Sequence, residues 1–342
     1  MKKIYVKIIF TICVIVAMGS CKDSKKESIF TFATDSPLNL CNVSEMNITS
    51  EGLFIKSEDN RYGQNLTLYN IDIDNKKITL QKEYFKRDDG SSIFYFFSPI
   101  FDDKDKLSIV ETDYPILWEQ VNDSIVQTDK ALLSTTAKVP HAVALHVRRA
   151  FYVSDNEYIF VGRQPRDGEG AIYRSVIDNG ETIVTEITPL IADEKYQSWV
   201  VNHGTLTYNN SIKKGAFAYW MFPKIKIFDY TNKTEKTISL GESTFNPETI
   251  EEGDLWYINT VNFIDIVSTD EYIYALYWGN TFEGMDKDNK EGKAVTRICK
   301  FDWNGNLEKS YKIKRALKNI AVTKDGKSII GYDGENFVLI AL

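Results

Sequence analysis

Six short strand-like segments recur along the chain at nearly even intervals, and this repetition limits the folds that the sequence can adopt. They begin at residues 53, 107, 158, 216, 272 and 328, so the steps between them are 54, 51, 58, 56 and 56 residues. Most are rich in Ile, Val, Phe and Tyr, which favour β-strands. Several follow a turn signal such as Glu51-Gly52 or Asp325-Gly326. A period of this length is typical of a chain built from similar small sheets.

Further strand-like segments surround these six and complete units of four strands. A first strand precedes five of them, at 94–100, 143–153, 199–208, 261–267 and 317–323. A third strand follows each of the six, at 66–71, 116–121, 171–177, 224–230, 295–303 and 337–342. A fourth strand closes five units, at 77–82, 124–128, 182–187, 236–240 and 307–313. Asp and Asn between the third and fourth strands, with Gly305, are typical of tight hairpin turns, and residues 102–105 indicate another hairpin.

The sixth unit lacks a fourth strand, whereas residues 28–33 form an alternating strand that belongs to no unit. A strand from the other end of the chain can close a ring of sheets and remove its exposed edge. We therefore predict an all-β, six-bladed β-propeller over residues 28–342, with few helices, closed by the N-terminal strand as part of the last blade. A two-domain β-sandwich protein is the competing fold, but it does not require even spacing.

The first 21 residues read as a targeting segment. Lys2, Lys3 and Lys7 precede an apolar stretch at 8–18. Met18-Gly19-Ser20-Cys21 at its end resembles the lipobox of bacterial lipoproteins, which implies that the cysteine is lipidated. The apolar run is short for a membrane span, so we predict a cleaved lipoprotein signal peptide at 1–21, lipidation of Cys21 and a short tether at 22–27. This places the protein at the bacterial cell envelope, as an outer-membrane lipoprotein on the periplasmic or the surface side. The alternative is an ordinary secretory signal.

Charge and cysteine content restrict the partners and the covalent links. With 48 acidic against 41 basic residues the net charge is −7, which argues against a nucleic-acid partner. Cys41 and Cys299 are the two thiols that remain beyond Cys21. They could pair in an oxidising compartment, or they could be two buried free thiols.

Several motifs together resemble the TolB-like six-bladed propeller lipoproteins of Bacteroidetes. They are the sequence ending in Cys21, Pro-His-Ala-Val at 140–143, Phe-Asp-Trp-Asn-Gly-Asn-Leu at 301–307, Tyr-Lys-Ile at 311–313 and Ala-Val-Thr at 321–323. The resemblance covers essentially the whole chain after Cys21. It implies the propeller fold and a location at the cell envelope, and it implies no particular activity or cofactor.

The predicted topology gathers one set of loops on a single face of the ring, and the two longest are 241–257 and 279–293. Aromatic rings there can stack on sugars and arginines can bind carboxylates. We take as candidate ligand-binding residues the aromatic, histidine and arginine side chains near this face or the channel: His141, Arg163, Trp199, His203, Trp220, Trp256 and Trp278.

No catalytic or metal-binding motif is recognisable. His141, His146 and His203 could form a three-histidine metal site, but five residues separate the first two, which places them on opposite faces of a strand. The acidic run at 286–292 departs from the EF-hand pattern and reads as a solvated loop. The sequence also lacks the GxSxG motif of a nucleophilic serine. We therefore predict no catalytic residue, no metal and no cofactor.

These observations favour a lipid-anchored, non-enzymatic propeller that binds a protein, peptide or glycan partner at the cell envelope. A propeller hydrolase or lyase acting on an extracellular polymer is the alternative, with carboxylates and His141 or His203 at the channel mouth. Such an enzyme needs ionisable side chains that converge within about 10 Å. A structural subunit of an envelope uptake or assembly complex is a third possibility, and it would present a broad flat surface.

Overall fold

The computed structural model describes residues 29–34, 40, 42–59, 63–85, 94, 96–111, 116–122, 124–132, 149–163, 170–196, 198, 200–249 and 255–342. Within these residues the chain is almost entirely β and forms six small sheets arranged in a ring. The predicted six-bladed β-propeller is therefore confirmed.

Each blade is an antiparallel sheet whose first strand is innermost. Blade 1 contains β3 (Val43–Ile48), β4 (Leu53–Asp59), β5 (Gly63–Asp72) and β6 (Lys77–Tyr84). Blade 2 contains β7 (Phe97–Phe101), β8 (Leu107–Glu111), β9 (Ile116–Val121) and β10 (Ser124–Ala131). Blade 3 contains β11 (Ala150–Ser154), β12 (Glu157–Arg163), β13 (Gly170–Asp178) and β14 (Glu181–Pro189).

The second half of the ring repeats this order. Blade 4 contains β15 (Gly204–Asn209), β16 (Lys214–Tyr219), β17 (Lys224–Asp229) and β18 (Thr234–Ser239). Blade 5 contains β19 (Val261–Ser268), β20 (Tyr272–Asn280), β21 (Thr296–Asp302) and β22 (Leu307–Ile313). Blade 6 contains β23 (Asn319–Val322), β24 (Ser328–Tyr332) and β25 (Phe337–Ala341). All six recurring segments of the sequence are the second strands of their blades.

The N-terminal strand closes the ring, as predicted. Strand β1 (Ile29–Thr31) pairs antiparallel with β25, with Ile29 opposite Ile340 and Thr31 opposite Val338. The next strand, β2 (Ala33–Thr34), pairs in parallel with β6 of blade 1. The N-terminal segment thus joins the last blade to the first and covers the edge of β25.

Apolar side chains fill the spaces between neighbouring blades. In the described part of the chain one cluster of buried residues lies at each of the six blade junctions. At the junction of blades 6 and 1, for example, Phe32 packs with Met46, Leu53, Ile330 and Phe337. Alternating strand residues supply these clusters because successive side chains point to opposite faces of a sheet.

Aspartates hold the predicted turns between the third and fourth strands. Asp302 accepts hydrogen bonds from the backbone N–H groups of Asn304 and Asn306 at 2.9 and 2.8 Å, and Gly305 has a φ of 81°. Asp229 accepts one from Asn232 in the same position of blade 4. The hairpin predicted at 102–105 is also present, with Asp102 accepting from Lys104 and Lys106.

The structure differs from the sequence predictions in three places. Blade 1 has an inner strand, β3, that we did not predict, because only three of its six residues are apolar and they form no continuous run. Residues 200–202 form a turn instead of the start of an inner strand, since the Asn202 amide donates to the carbonyls of Tyr196 and Ser198. The predicted loop at 279–293 contains a helix, α2 (Phe282–Lys290), which follows the short helix α1 (Leu255–Ile258) in the chain.

Two further sequence predictions concern the cysteines and the membrane. Cys299 is a free, buried thiol, and Cys41 lies outside the described residues. Among the described residues no helix is long and apolar enough to cross a membrane. The signal peptide, Cys21 and the tether at 22–27 lie outside the described residues, and they stay predictions.

Candidate ligand-binding site

A cavity of about 960 Å³ opens on the face predicted to bind ligands. It lies where the connections into the inner strands meet the connections between second and third strands. Blades 1, 4, 5 and 6 contribute, through residues such as Glu58, Trp220, Trp278 and Tyr332. The two long loops predicted for this face both reach it, through Tyr257 and through helix α2.

Aromatic side chains form one wall of the cavity. Trp220 directly follows the second strand of blade 4, and Trp278 lies near the end of the second strand of blade 5. Both are buried. The Phe282 ring lies between them, with its centroid 6.3 Å from that of Trp220 and 5.4 Å from that of Trp278. The indole N–H of Trp278 donates to the carbonyl of Leu317 at 2.6 Å, which fixes the ring against blade 6. Tyr257 is different, since it is 66% exposed at the rim.

Helix α2 supplies the outer part of the same wall. The Thr281 hydroxyl caps its first turn by accepting from the Gly284 N–H at 2.9 Å. Met285 points inwards and packs in a small cluster with Val261, Trp278 and Ala316. Glu283 and Asp286 line the cavity from the exposed side of the helix. One turn of helix therefore presents an apolar anchor and two carboxylates.

Carboxylates are four of the five charged residues in the described lining of the cavity. Glu58, Asp265, Glu283 and Asp286 all line it, against Lys318 as the one lysine or arginine among the described lining residues. Glu58 is half-buried at the end of β4 and accepts a hydrogen bond from the Gln64 amide at 3.1 Å. Asn319, at the start of the inner strand of blade 6, adds a buried amide.

Four buried charges meet in the central channel beside the cavity. Arg149 precedes the inner strand of blade 3, and its guanidinium lies 2.6 Å from the Asp265 carboxylate on the inner strand of blade 5. Its Nε is 3.7 Å from Glu45 on the inner strand of blade 1. Lys56 is also 3.7 Å from Glu45 and donates to the carbonyl of Phe97 in blade 2. Two acids and two bases thus form a neutral set.

Backbone groups complete this buried set. The Asp265 carboxylate accepts from the N–H groups of Ile266 at 2.8 Å and of Ile320 at 3.0 Å, so it also ties blade 5 to blade 6. Burial raises the pKa of the Glu45 carboxyl above its ordinary value, although Lys56 and Arg149 oppose the shift. The channel charges are therefore bound to one another and to the backbone.

The structure brings together some of the predicted ligand-binding residues. Trp220 and Trp278 line the cavity, whereas His203 packs edge-on behind Trp220 with ring centroids 4.8 Å apart. Arg163 ends β12 and Trp256 lies in α1, but the side chains of both are outside the described part of the chain. His141, His146 and Trp199 lie outside the described residues altogether. A binding role for these residues stays a prediction.

Sequence reasoning missed the channel charges and Asn319. A signal was present for Asp265, because a single carboxylate interrupts the apolar strand Phe263-Ile264-Asp265-Ile266-Val267. Charged residues are almost never buried without a partner, so such a residue indicates an ion pair or a site. In the parts of the chain that the structure describes, no three His, Cys, Asp or Glu side chains are placed to hold a metal ion.

Comparisons with known proteins agree with this architecture. The sequence model of the TolB-like 6-blade propeller-like family matches residues 103–325, and the chain belongs to that family. A search of curated proteins gives no match to the sequence.

Many solved structures match this fold, and two of them serve as examples. One is a member of the DUF4221 family from Bacteroides vulgatus, 11% identical, with a TM-score of 0.59 over 93% of this chain and 96% of that chain. The other is a gluconolactonase from Xanthomonas campestris, 8% identical, with a TM-score of 0.54 over 93% of this chain and 90% of that one. At such low identity the likeness concerns the fold alone.

Proposed function

We propose that this protein is a lipid-anchored, non-enzymatic propeller that binds a protein, peptide or glycan partner at the bacterial cell envelope. The observation that carries the proposal is the cavity of about 960 Å³ on the loop face, with its aromatic wall and its carboxylates. Cavities of this size that combine apolar walls with a few polar groups are the usual sites of ligand binding. A segment of the partner occupies this cavity while the remainder contacts the surrounding loops.

The state of the channel charges supports binding over hydrolysis. A hydrolase or lyase needs carboxylates that are free to exchange protons with a substrate. Glu45 and Asp265 are instead held by Arg149, and Asp265 also accepts two backbone hydrogen bonds. These groups therefore serve the structure of the ring in our proposal, and the cavity above them serves recognition.

A photocrosslinking experiment in the native cells tests the binding site. A photoreactive phenylalanine analogue replaces Tyr257, which lines the cavity and is exposed. The control carries the same analogue at Ile183, which is exposed on the outermost strand of blade 3. We expect one reproducible envelope partner to be captured from Tyr257 and not from Ile183. Equal products from both positions, or none from Tyr257, would contradict the proposal.

The membrane anchor is tested separately. We expect Cys21→Ser to abolish incorporation of radioactive palmitate and to release the protein from the membrane fraction, because the acylated cysteine is lost. Cys13→Ser is the matched control, since Cys13 lies within the apolar stretch of the signal and should leave labelling unchanged. Unchanged labelling of Cys21→Ser would mean that the lipid is attached elsewhere, and no labelling of the original protein would mean that the segment is an ordinary secretory signal.

A further inference from the structure

We propose that the cavity binds a lysine or arginine side chain from an extended peptide segment of the partner. This inference rests on the proposed function and specifies the ligand of the same site. Glu58 is its first support, because this half-buried carboxylate lines the cavity and forms no ion pair with any described residue. A carboxylate that loses water on ligand binding needs a cation as its new partner.

Asn319 gives a second and independent support. Its side chain lines the cavity and is only 6% exposed, yet its Oδ1 accepts no hydrogen bond from a described residue. Buried polar atoms are normally paired, so this oxygen calls for a donor. An ammonium or guanidinium group supplies several N–H donors at once and can serve both Asn319 and a carboxylate.

The one basic lining residue leaves room for such a ligand. The Lys318 side chain is exposed and folds over Gly334, where a β-carbon would lie 3.0 Å from the Lys318 Nζ. The cation is thus held at the rim beside blade 6. The other charged residues among the described lining are four carboxylates, of which Asp265 is paired with Arg149 and Asp286 with Lys290. Glu58 and Glu283 outnumber the single lysine, so the unpaired charge that the described residues bring to the cavity is negative.

The combination of an aromatic wall and negative charge in the lining favours a basic side chain over a sugar. Lysine and arginine have an apolar stem and a cationic tip, and Trp220, Trp278 and Phe282 provide an apolar wall for the stem. Aromatic faces also attract cations. A sugar hydroxyl could donate to Asn319, but it would leave the charge of Glu58 uncompensated.

Peptide titration tests the inference. The probes are four acetylated, amidated pentapeptides, Ala-Gly-X-Gly-Ala, in which X is lysine, arginine, norleucine or glutamate, and calorimetry at low ionic strength measures their binding. We expect the lysine and arginine peptides to bind at least about tenfold more tightly than the norleucine peptide, and added salt to weaken them. Equal binding of lysine and norleucine peptides, or binding of none, would overturn the inference.

Two variants identify the carboxylate. Glu58→Gln should weaken the lysine peptide about tenfold. Glu58→Lys should reverse the preference towards the glutamate peptide, which a purely structural role of Glu58 would not do. Glu308→Gln is the control, because Glu308 is exposed on the outermost strand of blade 5 and should change nothing. Unchanged binding in both Glu58 variants would also overturn the inference.

Failure of this inference can be told apart from failure of the proposed function. If Tyr257 captures an envelope partner but basic and neutral peptides bind alike, the binding role stands and the ligand class is wrong. If Tyr257 captures no partner and no peptide binds, both proposals fall.

Discussion

The Arg149 guanidinium lies between two carboxylates from different blades, and this arrangement makes it the most sensitive single residue of the channel. We expect Arg149→Met to destabilise the protein by about 3–5 kcal/mol, because Glu45 and Asp265 would stay buried without their cation. Urea unfolding measures the change. Lys290→Met is the control, since its ion pair with Asp286 is exposed and is worth less than about 1 kcal/mol. Equal losses in the two variants would mean that the buried set carries no special stability.

The buried Cys299 thiol should make the free energy of unfolding depend on pH in the alkaline range. Burial raises its pKa from 9.0 to about 11, so the folded protein keeps this proton at pH values where the unfolded chain releases it. The free energy of unfolding should therefore fall as pH rises from 9 to 11 and should be insensitive to this group below that range. Urea unfolding at each pH measures the fall. Cys299→Ala should reduce it most clearly between pH 9 and 10, because tyrosines such as Tyr69 and Tyr274, whose pKa values are raised from 10.0 to about 12, add to the fall above pH 10. An identical pH slope in the variant would contradict this assignment.

At the scale of single residues, the sequence identified some of the important side chains and missed others. Trp220 and Trp278 are candidates from the sequence because they lie near the predicted ligand face, and both line the cavity. Asn319 and Arg149 could not be selected in the same way. Their importance comes from which inner strands face one another across the channel, and this depends on side-chain positions that no local pattern contains.

Helix α2 is a whole element that the sequence pattern did not predict. Its sequence is polar and contains Gly284, a poor helix former, so the pattern indicated a loop. The glycine has a local cause, because a β-carbon there would lie 2.2 Å from the Asn280 Oδ1 at the start of the helix. Met285, which is buried, and Phe282, which packs on Trp220 and Trp278, fix the helix to the ring. The second strands were easier to predict because each is a short apolar run that recurs at an even spacing and is largely buried.

Removal of the N-cap tests how much the stability of helix α2 depends on its capping hydrogen bond. Thr281→Ala removes the hydroxyl that accepts from the Gly284 N–H and should destabilise the helix by about 1 kcal/mol. Hydrogen exchange of the amides at 284–290 should accelerate, while amides of the inner strands should not change. Thr281→Ser keeps the hydroxyl and should exchange like the original protein. Uniform acceleration over all blades would show instead that the cap supports the whole ring.

At the scale of the whole molecule, the ring is a set of six similar junctions, and the sequence period predicted it well. Each junction in the described residues has its own apolar cluster. The even spacing of the recurring segments in the sequence therefore reflects the same packing between blades, repeated around the ring. Closure is the exception. The junction of blades 6 and 1 joins the two ends of the chain, and its contacts are the most distant in sequence.

This closure should depend on Phe32 more than on its neighbour Phe30. Phe32 is 5% exposed and packs in the junction of blades 6 and 1, whereas Phe30 is 38% exposed and lies against Lys76. We expect Phe32→Ala to lower the free energy of unfolding by about 3–5 kcal/mol. Phe30→Ala should cost about 1 kcal/mol or less, because it removes only an exposed cation–π contact. Release of β1 would also uncover the edge of β25, so size-exclusion chromatography of Phe32→Ala should show self-association. A Phe32→Ala protein as stable and monomeric as the Phe30→Ala protein would mean that closure of the ring does not depend on the Phe32 side chain.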